Sequence, residues 1–339
     1  MVEHLAGLDL DKLSTWLDAH SPGLVGGALE ARLIAGGKSN LTYAVTDGHR
    51  NLVVRRPPMG HVLATAHDMA REFRAMTALA PTSVSVPTTY ALCEDLTVLG
   101  APFYVMDLVP GTAYNSAKQL GKLGPERVGD LCDKVVSTLA RLHAIDPHEV
   151  GLDDFGRPDG FVERQVRRWK KQLEQSRSRE IPGIDELGAY LETHIPKHSN
   201  TSIVHGDYRM DNLLFDDSDT MTAVLDWEMS TLGDPLTDVA LMLVYHHMAH
   251  KVGAANVTDA PLAAGYWTPQ QTLDAYGAAS GLDLDHMGFY LGLAYFKLAV
   301  ILEGIYLRHQ QGKTFGEGFA AVGDRVLPLV AEGLAATRE

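Results

Sequence analysis

The sequence predicts an α+β chain of two lobes: a small, antiparallel, β-rich N-terminal lobe over residues 1–109 and a larger, mainly helical C-terminal lobe over residues 110–339. Three observations predict it. Within the first 109 residues the apolar period is helical, then alternating, then helical, then alternating again. After Pro110-Gly111, which breaks the pattern, the period is helical almost to the end. The strand-like pieces "SIVHG", "NLLFD" and "TAVLDW" stand embedded among those helices. A length of 339 residues with 45% hydrophobic and 21% charged residues suits a two-lobed globular chain with an ample core.

The elements follow in order. Residues 9–20 have helical spacing and stop before Pro22-Gly23. "ARLIA", "LTYAVT" and "NLVVRR" read as three short strands separated by "GGKSN" and "DGH", and Pro57-Pro58 ends the third. A helix follows across "AHDMAREFRAMTALA", with Met69, Phe73, Met76 and Leu79 on one stripe. Strands around "TTYALCE" and "PFYVMDLV" complete the first lobe. Helices across "RVGDLCDKVVSTLARLHAI", "FVERQVRRWKKQLEQS" and "DELGAYLETHI", and the long segments after Asp238, build the second. There is no internal repeat and no low-complexity segment.

Net charge is −14, which argues against nucleic acid as a partner. From Thr201 onward there are 18 acidic and 7 basic residues, leaving −3 for residues 1–200. Such a half suits a cationic substrate or a metal–nucleotide complex, and equally suits plain solubility. The apolar helix "FYLGLAYFKLAVILEGIYL" is interrupted by Lys297 and Glu303, so a buried helix is expected and no membrane partner. Two cysteines, Cys93 and Cys132, make no disulfide framework, and the N-terminus has no basic-then-apolar leader. A cytoplasmic location is the expectation.

The chemistry concentrates in "IVHGDYRMDNLLFD", where His205, Asp207 and Asn212 follow the spacing H-x-D-x-x-x-x-N. Asp207 suits an acceptor hydroxyl that needs positioning and a destination for its proton. Asn212 and Asp226 offer oxygen ligands to the divalent cation of a triphosphate. "NLLFDDSDTMTAVLDW" reads as a hairpin whose second strand ends by presenting Asp226 beside Asn212.

"HGDYRMDNLLF" and "VLDWEMSTLGDPLTDVALML" resemble the aminoglycoside phosphotransferase family of kinase-like enzymes, most of all the branch fused to some acyl-CoA dehydrogenases. The resemblance runs from about Ala31 to Arg308. It implies a bilobal protein-kinase-like fold with the nucleotide in the interlobe cleft, Asp207 as catalytic base, and Asn212 and Asp226 as holders of Mg2+. It implies that His205 and Asp238 support the catalytic loop. Gly206 stands where protein kinases carry Arg, and Trp227 where they carry Phe.

On the nucleotide side, Gly36, Gly37, Ser39 and Asn40 lie in a turn that could bring backbone amides and a hydroxyl to phosphate. Strand alternation puts Val53 and Arg55 on one face, so that Val53 covers the adenine while Arg55 reaches phosphate in the lysine's place. Glu72 is the natural partner of that cation. By resemblance "FYVMDLVPG" is the hinge, with Met106 behind the adenine and the backbone of Asp107 and Val109 at its edge. The expected reaction moves the γ-phosphate of ATP, with GTP not excluded, to a hydroxyl of a small molecule. A hydroxy acid or hydroxyacyl-CoA is the first acceptor reading, an aminoglycoside or macrolide the second, and a non-catalytic nucleotide-binding regulator the third. No "APE"-like segment follows "LDWE", which argues against peptide substrates.

Three further features carry alternatives. His246 and His250 form an i, i+4 pair that could hold a metal or simply pack. Arg164, Arg167, Arg168, Lys170 and Lys171 form a basic helix face, solvated or anion-binding, with Val166 and Trp169 inward. Tyr290, Lys297, Glu303 and Arg308 on the late apolar helix suit a pocket wall or buried ion pairs.

Overall fold

The computed structural model describes residues 5–36, 40–59, 68–252, 258–313, 319 and 321–338. In chain order the elements are α1 (Leu10–His20), β1 (Glu30–Gly36), β2 (Leu41–Thr46), β3 (Asn51–Arg56), α2 (Met69–Leu79), β4 (Thr89–Cys93), α3 (Leu96–Leu99) and β5 (Phe103–Asp107). They continue with α4 (Ala117–Leu120), α5 (Pro125–His143), α6 (Phe161–Ser176), α7 (Ile184–Thr193), β6 (Ser202–Val204), β7 (Leu213–Phe215), β8 (Met221–Val224) and β9 (Thr231–Gly233). The last four are α8 (Leu236–His247), α9 (Pro269–Ser280), α10 (Met287–Gln310) and α11 (Val326–Ala336). They fall into two compact units, Met1–Thr112 with Leu214–Ser230, and Ala113–Leu213 with Thr231–Glu339.

The first unit is built on an antiparallel five-stranded sheet in the order β1-β2-β3-β5-β4. Alternation divides its residues into two faces. Tyr43, Val45, Leu52, Val54, Phe103 and Val105 join Leu13 and Leu17 of α1 in one apolar cluster. α1 starts at Asp9, whose side chain accepts the Lys12 amide, and buries its i, i+4 leucines on that cluster. The other face carries the cross-strand rows Ala44–Val53–Met106 and Thr42–Arg55–Tyr104. Consecutive arginines therefore part company. Arg56 turns to the α1 side, where its guanidinium donates to the carbonyls of Gly7, Pro57 and Leu99, and Arg55 turns to the opposite side.

The expected single boundary at residues 109–110 is corrected by the β7–β8 hairpin, which leaves the second unit and joins the first. Thr112 and Phe215 exchange amide–carbonyl bonds of 2.8 and 3.1 Å, and the Val224 amide donates to the Ser85 carbonyl at 2.8 Å. Gly111 permits the approach: a Cβ there would stand 3.0 Å from the Leu214 side chain and 3.1 Å from the Phe215 carbonyl. Backbone pairing over more than 100 residues of separation leaves no composition signal, so a contiguous reading misses it.

Among the described residues the second unit is helical with one two-stranded ladder, β6–β9, whose first strand leads into His205. β9 was not anticipated, because "TLG" is too short to show a period. By length and composition α10 is apolar enough to cross a membrane, and here most of it is buried against α6, α8 and α11. Of its charges, Glu303 is buried and Lys297 half-buried, both with partners, while Arg308 is exposed. Glu303, with 0% exposure, accepts from Ser178 and Arg179, and Tyr290 donates to Asp234 at 2.8 Å. On α6, Val166 and Trp169 are buried and the basic residues lie around them.

Candidate active site

In the second unit the chain leaves β6 through His205, Gly206 and Asp207. Gly206 has φ 84°, a left-handed conformation that glycine adopts at no steric cost. Asp238, buried in the first turn of α8, accepts the amides of His205 at 2.6 Å and Gly206 at 2.7 Å. Its Oδ2, which takes the His205 amide, also meets His143 Nε2 at 3.3 Å, and His143 Nδ1 meets the Tyr276 hydroxyl at 2.8 Å. Burial alone would raise the Asp238 carboxyl. The hydrogen bond and charge of His143, with His205, outweigh that and hold it below the ordinary value. His205 is fully buried, and its Nδ1 accepts the Asp207 amide at 3.2 Å.

The Asp207 carboxylate is thereby aimed by its own loop. Asn212 Nδ2 donates to the Asp207 carbonyl at 2.9 Å and lies 3.5 Å from Oδ2. With the amide nitrogen so engaged, Asn212 Oδ1 is the atom suited to a cation. Arg209 NH2 stands 3.4 Å from Asp207 Oδ2 and 3.3 Å from Asp211 Oδ2. The Tyr245 hydroxyl donates to Asp207 Oδ1 at 3.0 Å. Behind the loop, Lys297 of α10 donates to the Gly206 carbonyl at 3.3 Å.

In the first unit Arg55 is the centre of a second cluster. Its Nε lies 2.9 Å from Glu72, and one terminal nitrogen lies 2.7 Å from Asp226 and 3.7 Å from Glu228. Burial alone would lower the guanidinium, and Glu72, Tyr104, Asp226 and Glu228 together raise it. Glu72 is 1% exposed and also accepts the Tyr104 hydroxyl at 2.8 Å. Asp226 has φ 68°, a left-handed conformation that Asp tolerates better than most residues.

The remaining expected residues fall as follows. Gly37 and Ser39 lie outside the described residues, and Gly36 ends β1. Asn40 does not face outward: it is 4% exposed, and its amide donates to Glu72 at 3.2 Å and Glu228 at 3.1 Å. Two carboxylates within reach compete for that amide better than a turn position would. Val53 and Met106 are cross-strand neighbours on the Arg55 side of the sheet. The Asp107 amide is engaged by the Thr88 carbonyl at 2.8 Å, and its carboxylate accepts the Tyr90 hydroxyl at 2.6 Å. The Val109 amide, among the described residues, has no protein partner.

Asn212 and Asp226 carry hard oxygen donors, the kind a divalent cation takes. Glu72, Asp226 and Glu228 place three carboxylates around one guanidinium, a surplus of negative charge with hard oxygen donors. Among the described residues no group of three or more His, Cys, Asp or Glu is placed to hold a metal ion by itself. Mg2+ commonly uses one or two carboxylates, with phosphate and water completing its shell. The His246–His250 pair has ring centroids 4.6 Å apart, and burial with two histidine neighbours lowers His246 to about 4.

A small antiparallel sheet with a buried Arg–Glu pair, and a helical unit holding an Asp–Asn loop, define the class of protein-kinase-like phosphotransferases. The comparisons agree. The Phosphotransferase enzyme family profile matches residues 30–278, and the chain belongs to that family. Acyl-CoA dehydrogenase family member 10 of Mus musculus is 36% identical over 307 residues, covering 88% of this chain and 28% of that protein. The chain thus spans under a third of that relative. A solved Ralstonia eutropha protein, described by inference as an aminoglycoside phosphotransferase, is 33% identical, covers 97% of this chain and 98% of its own, and superposes with a TM-score of 0.85. A thermostable aminoglycoside phosphotransferase mutant, in ternary complex with AMP-PNP and hygromycin B, covers 96% of this chain and 98% of its own at 13% identity and TM-score 0.61, a likeness of fold.

Sequence reasoning missed Glu228, Arg209, Tyr245 and His143. Arg209 and Glu228 lie two residues from Asp207 and Asp226, and that proximity was their available signal. Tyr245 lies seven residues after Asp238, two helical turns along one face. His143 had no local signal.

Proposed function

We propose that this chain is an ATP-dependent phosphotransferase that moves the γ-phosphate to a hydroxyl of a small molecule. The observation that carries the reading is the Asp207 carboxylate, held on a loop whose backbone Asp238 fixes through two amides and with Asn212 at its side. In the step, the acceptor oxygen forms a bond to phosphorus as the bond to the β-phosphate oxygen breaks. The acceptor proton passes to Asp207, and ADP leaves with the electron pair. Arg55, oriented by Glu72, neutralises the phosphates, and the Val53–Met106 surface takes the base. Asn212 and Asp226 would hold Mg2+, which when bound offsets phosphate charge. GTP serves equally if the base is held through backbone groups.

For the acceptor we favour a hydroxy acid or hydroxyacyl-CoA, supported by the similarity to an acyl-CoA dehydrogenase family member. A cationic aminoglycoside is the second reading, favoured by the 18 acidic against 7 basic residues from Thr201 onward. Labelled ATP offered with Mg2+ to hydroxyacyl-CoAs, hydroxy acids, aminoglycosides, macrolides, sugars and choline decides between them. Label should enter one class and vanish with Asp207→Asn. ATP binding without transfer to any class, and with no effect of Asp207→Asn, would favour a regulator instead.

A further inference from the structure

α8 faces the catalytic loop twice. Asp238 in its first turn takes the backbone amides of His205 and Gly206. Seven residues on, two turns along the same face, Tyr245 gives its hydroxyl to the Asp207 side chain at 3.0 Å. The Tyr245 ring also carries the Arg209 guanidinium, 4.9 Å from its centroid. Burial and the Asp207 charge both push the Tyr245 phenol up, so it stays a donor at any working pH.

We propose that Tyr245 is a positioning residue for the phosphoryl transfer: it fixes which oxygen Asp207 presents to the acceptor and seats Arg209 beside the other. The inference rests on the reading of Asp207 as the base. A carboxylate's terminal torsion is broad and two-fold, so an untethered Asp207 would swing about its χ2. The donor at 3.0 Å on Oδ1 restrains that freedom and leaves Oδ2, whose contacts to Asn212 Nδ2 at 3.5 Å and Arg209 at 3.4 Å are longer, as the oxygen that receives the proton. Oδ2 is also the oxygen 3.4 Å from Arg209. The charge that develops on the transferred group therefore meets a cation beside the base that starts the reaction. One rigid helix thus sets the loop's backbone through Asp238 and its reacting side chain through Tyr245. A misplacement of about 1 Å in a reacting group costs on the order of 100-fold in rate.

The test uses the full chain with Mg-ATP, water serving as the acceptor hydroxyl, in Tyr245→Phe, Tyr245→Leu and Asp207→Asn. Tyr245→Phe keeps the ring and loses only the donor. Its kcat for ATP hydrolysis should fall about 10- to 100-fold with KM for ATP unchanged. Tyr245→Leu, which also unseats Arg209, should fall further. Crystals of Tyr245→Phe should show the Asp207 carboxylate turned or in two rotamers. A single Asp207 orientation identical to wild type, or an unchanged kcat, would overturn the proposal. The base reading fails separately: Asp207→Asn would keep its turnover, while the crystallographic comparison still decides whether Tyr245 holds the carboxylate.

Discussion

Arg55 and Asp226 meet at 2.7 Å although 171 residues separate them, and the same guanidinium meets Glu72 at 2.9 Å. Arg55→Ala should therefore act twice. It leaves Glu72 buried without its cation, a loss of about 3–5 kcal/mol, and it removes the charge proposed to meet phosphate. Arg55→Lys keeps the charge and loses the fork, so it should restore most stability and only part of the nucleotide affinity. Urea unfolding and ADP titration of both variants check this. Equal stability in all three proteins would show that the cluster is not a structural ion pair.

Asp226 combines the side chain proposed to hold Mg2+ with a left-handed backbone. Asn tolerates that backbone, whereas Ala at φ 68° adds about 1–2 kcal/mol of strain. Asp226→Asn and Asp226→Ala should both lose Mg2+-dependent turnover, and only the Ala variant should also melt earlier. Thermal unfolding beside the labelling assay separates the two losses.

Asp238 makes stability depend on acid. Its carboxyl is held below the ordinary 3.8 in the folded chain, so its contribution is complete above about pH 4. It is lost as pH falls through the depressed folded value. Asp238→Asn should flatten the acid limb of a stability–pH curve and cost about 1–3 kcal/mol at neutral pH, because an amide nitrogen replaces one acceptor. An acid limb identical to wild type would be the contrary result.

Glu303 offers a comparison remote from the chemistry. It is fully buried and paired with Arg179, whose guanidinium also lies 4.3 Å over the Tyr306 ring. Glu303→Ala should destabilise by about 3–5 kcal/mol without changing kcat of the molecules that remain folded. Measuring kcat per folded molecule, by active-site titration with labelled ADP, distinguishes this from a pocket-wall role.

Much of the fold was legible because period is a local property. Alternation along Leu52–Arg56 sends Val53 and Arg55 one way and Arg56 the other, and leucines at 13 and 17 announce the helix under the sheet. The spacing of His205, Asp207 and Asn212 likewise marks one short loop. What eluded the sequence depends on partners far along the chain. Asn40 looks like a turn residue until Glu228, 188 positions away, takes its amide. Tyr245 looks like one more residue of an apolar helix until Asp207 stands opposite.

The sheet unit is written in two pieces of the chain, residues 1–112 and 214–230. During synthesis its five strands emerge early, yet Asp226, Glu228 and the hairpin that bonds Thr112 arrive only after a further hundred or so residues have been made. Until then Arg55 has Glu72 alone. A ribosome stalled before residue 213 would display a sheet that has its strands but lacks its acidic complement, so nucleotide binding should be acquired late and in one step.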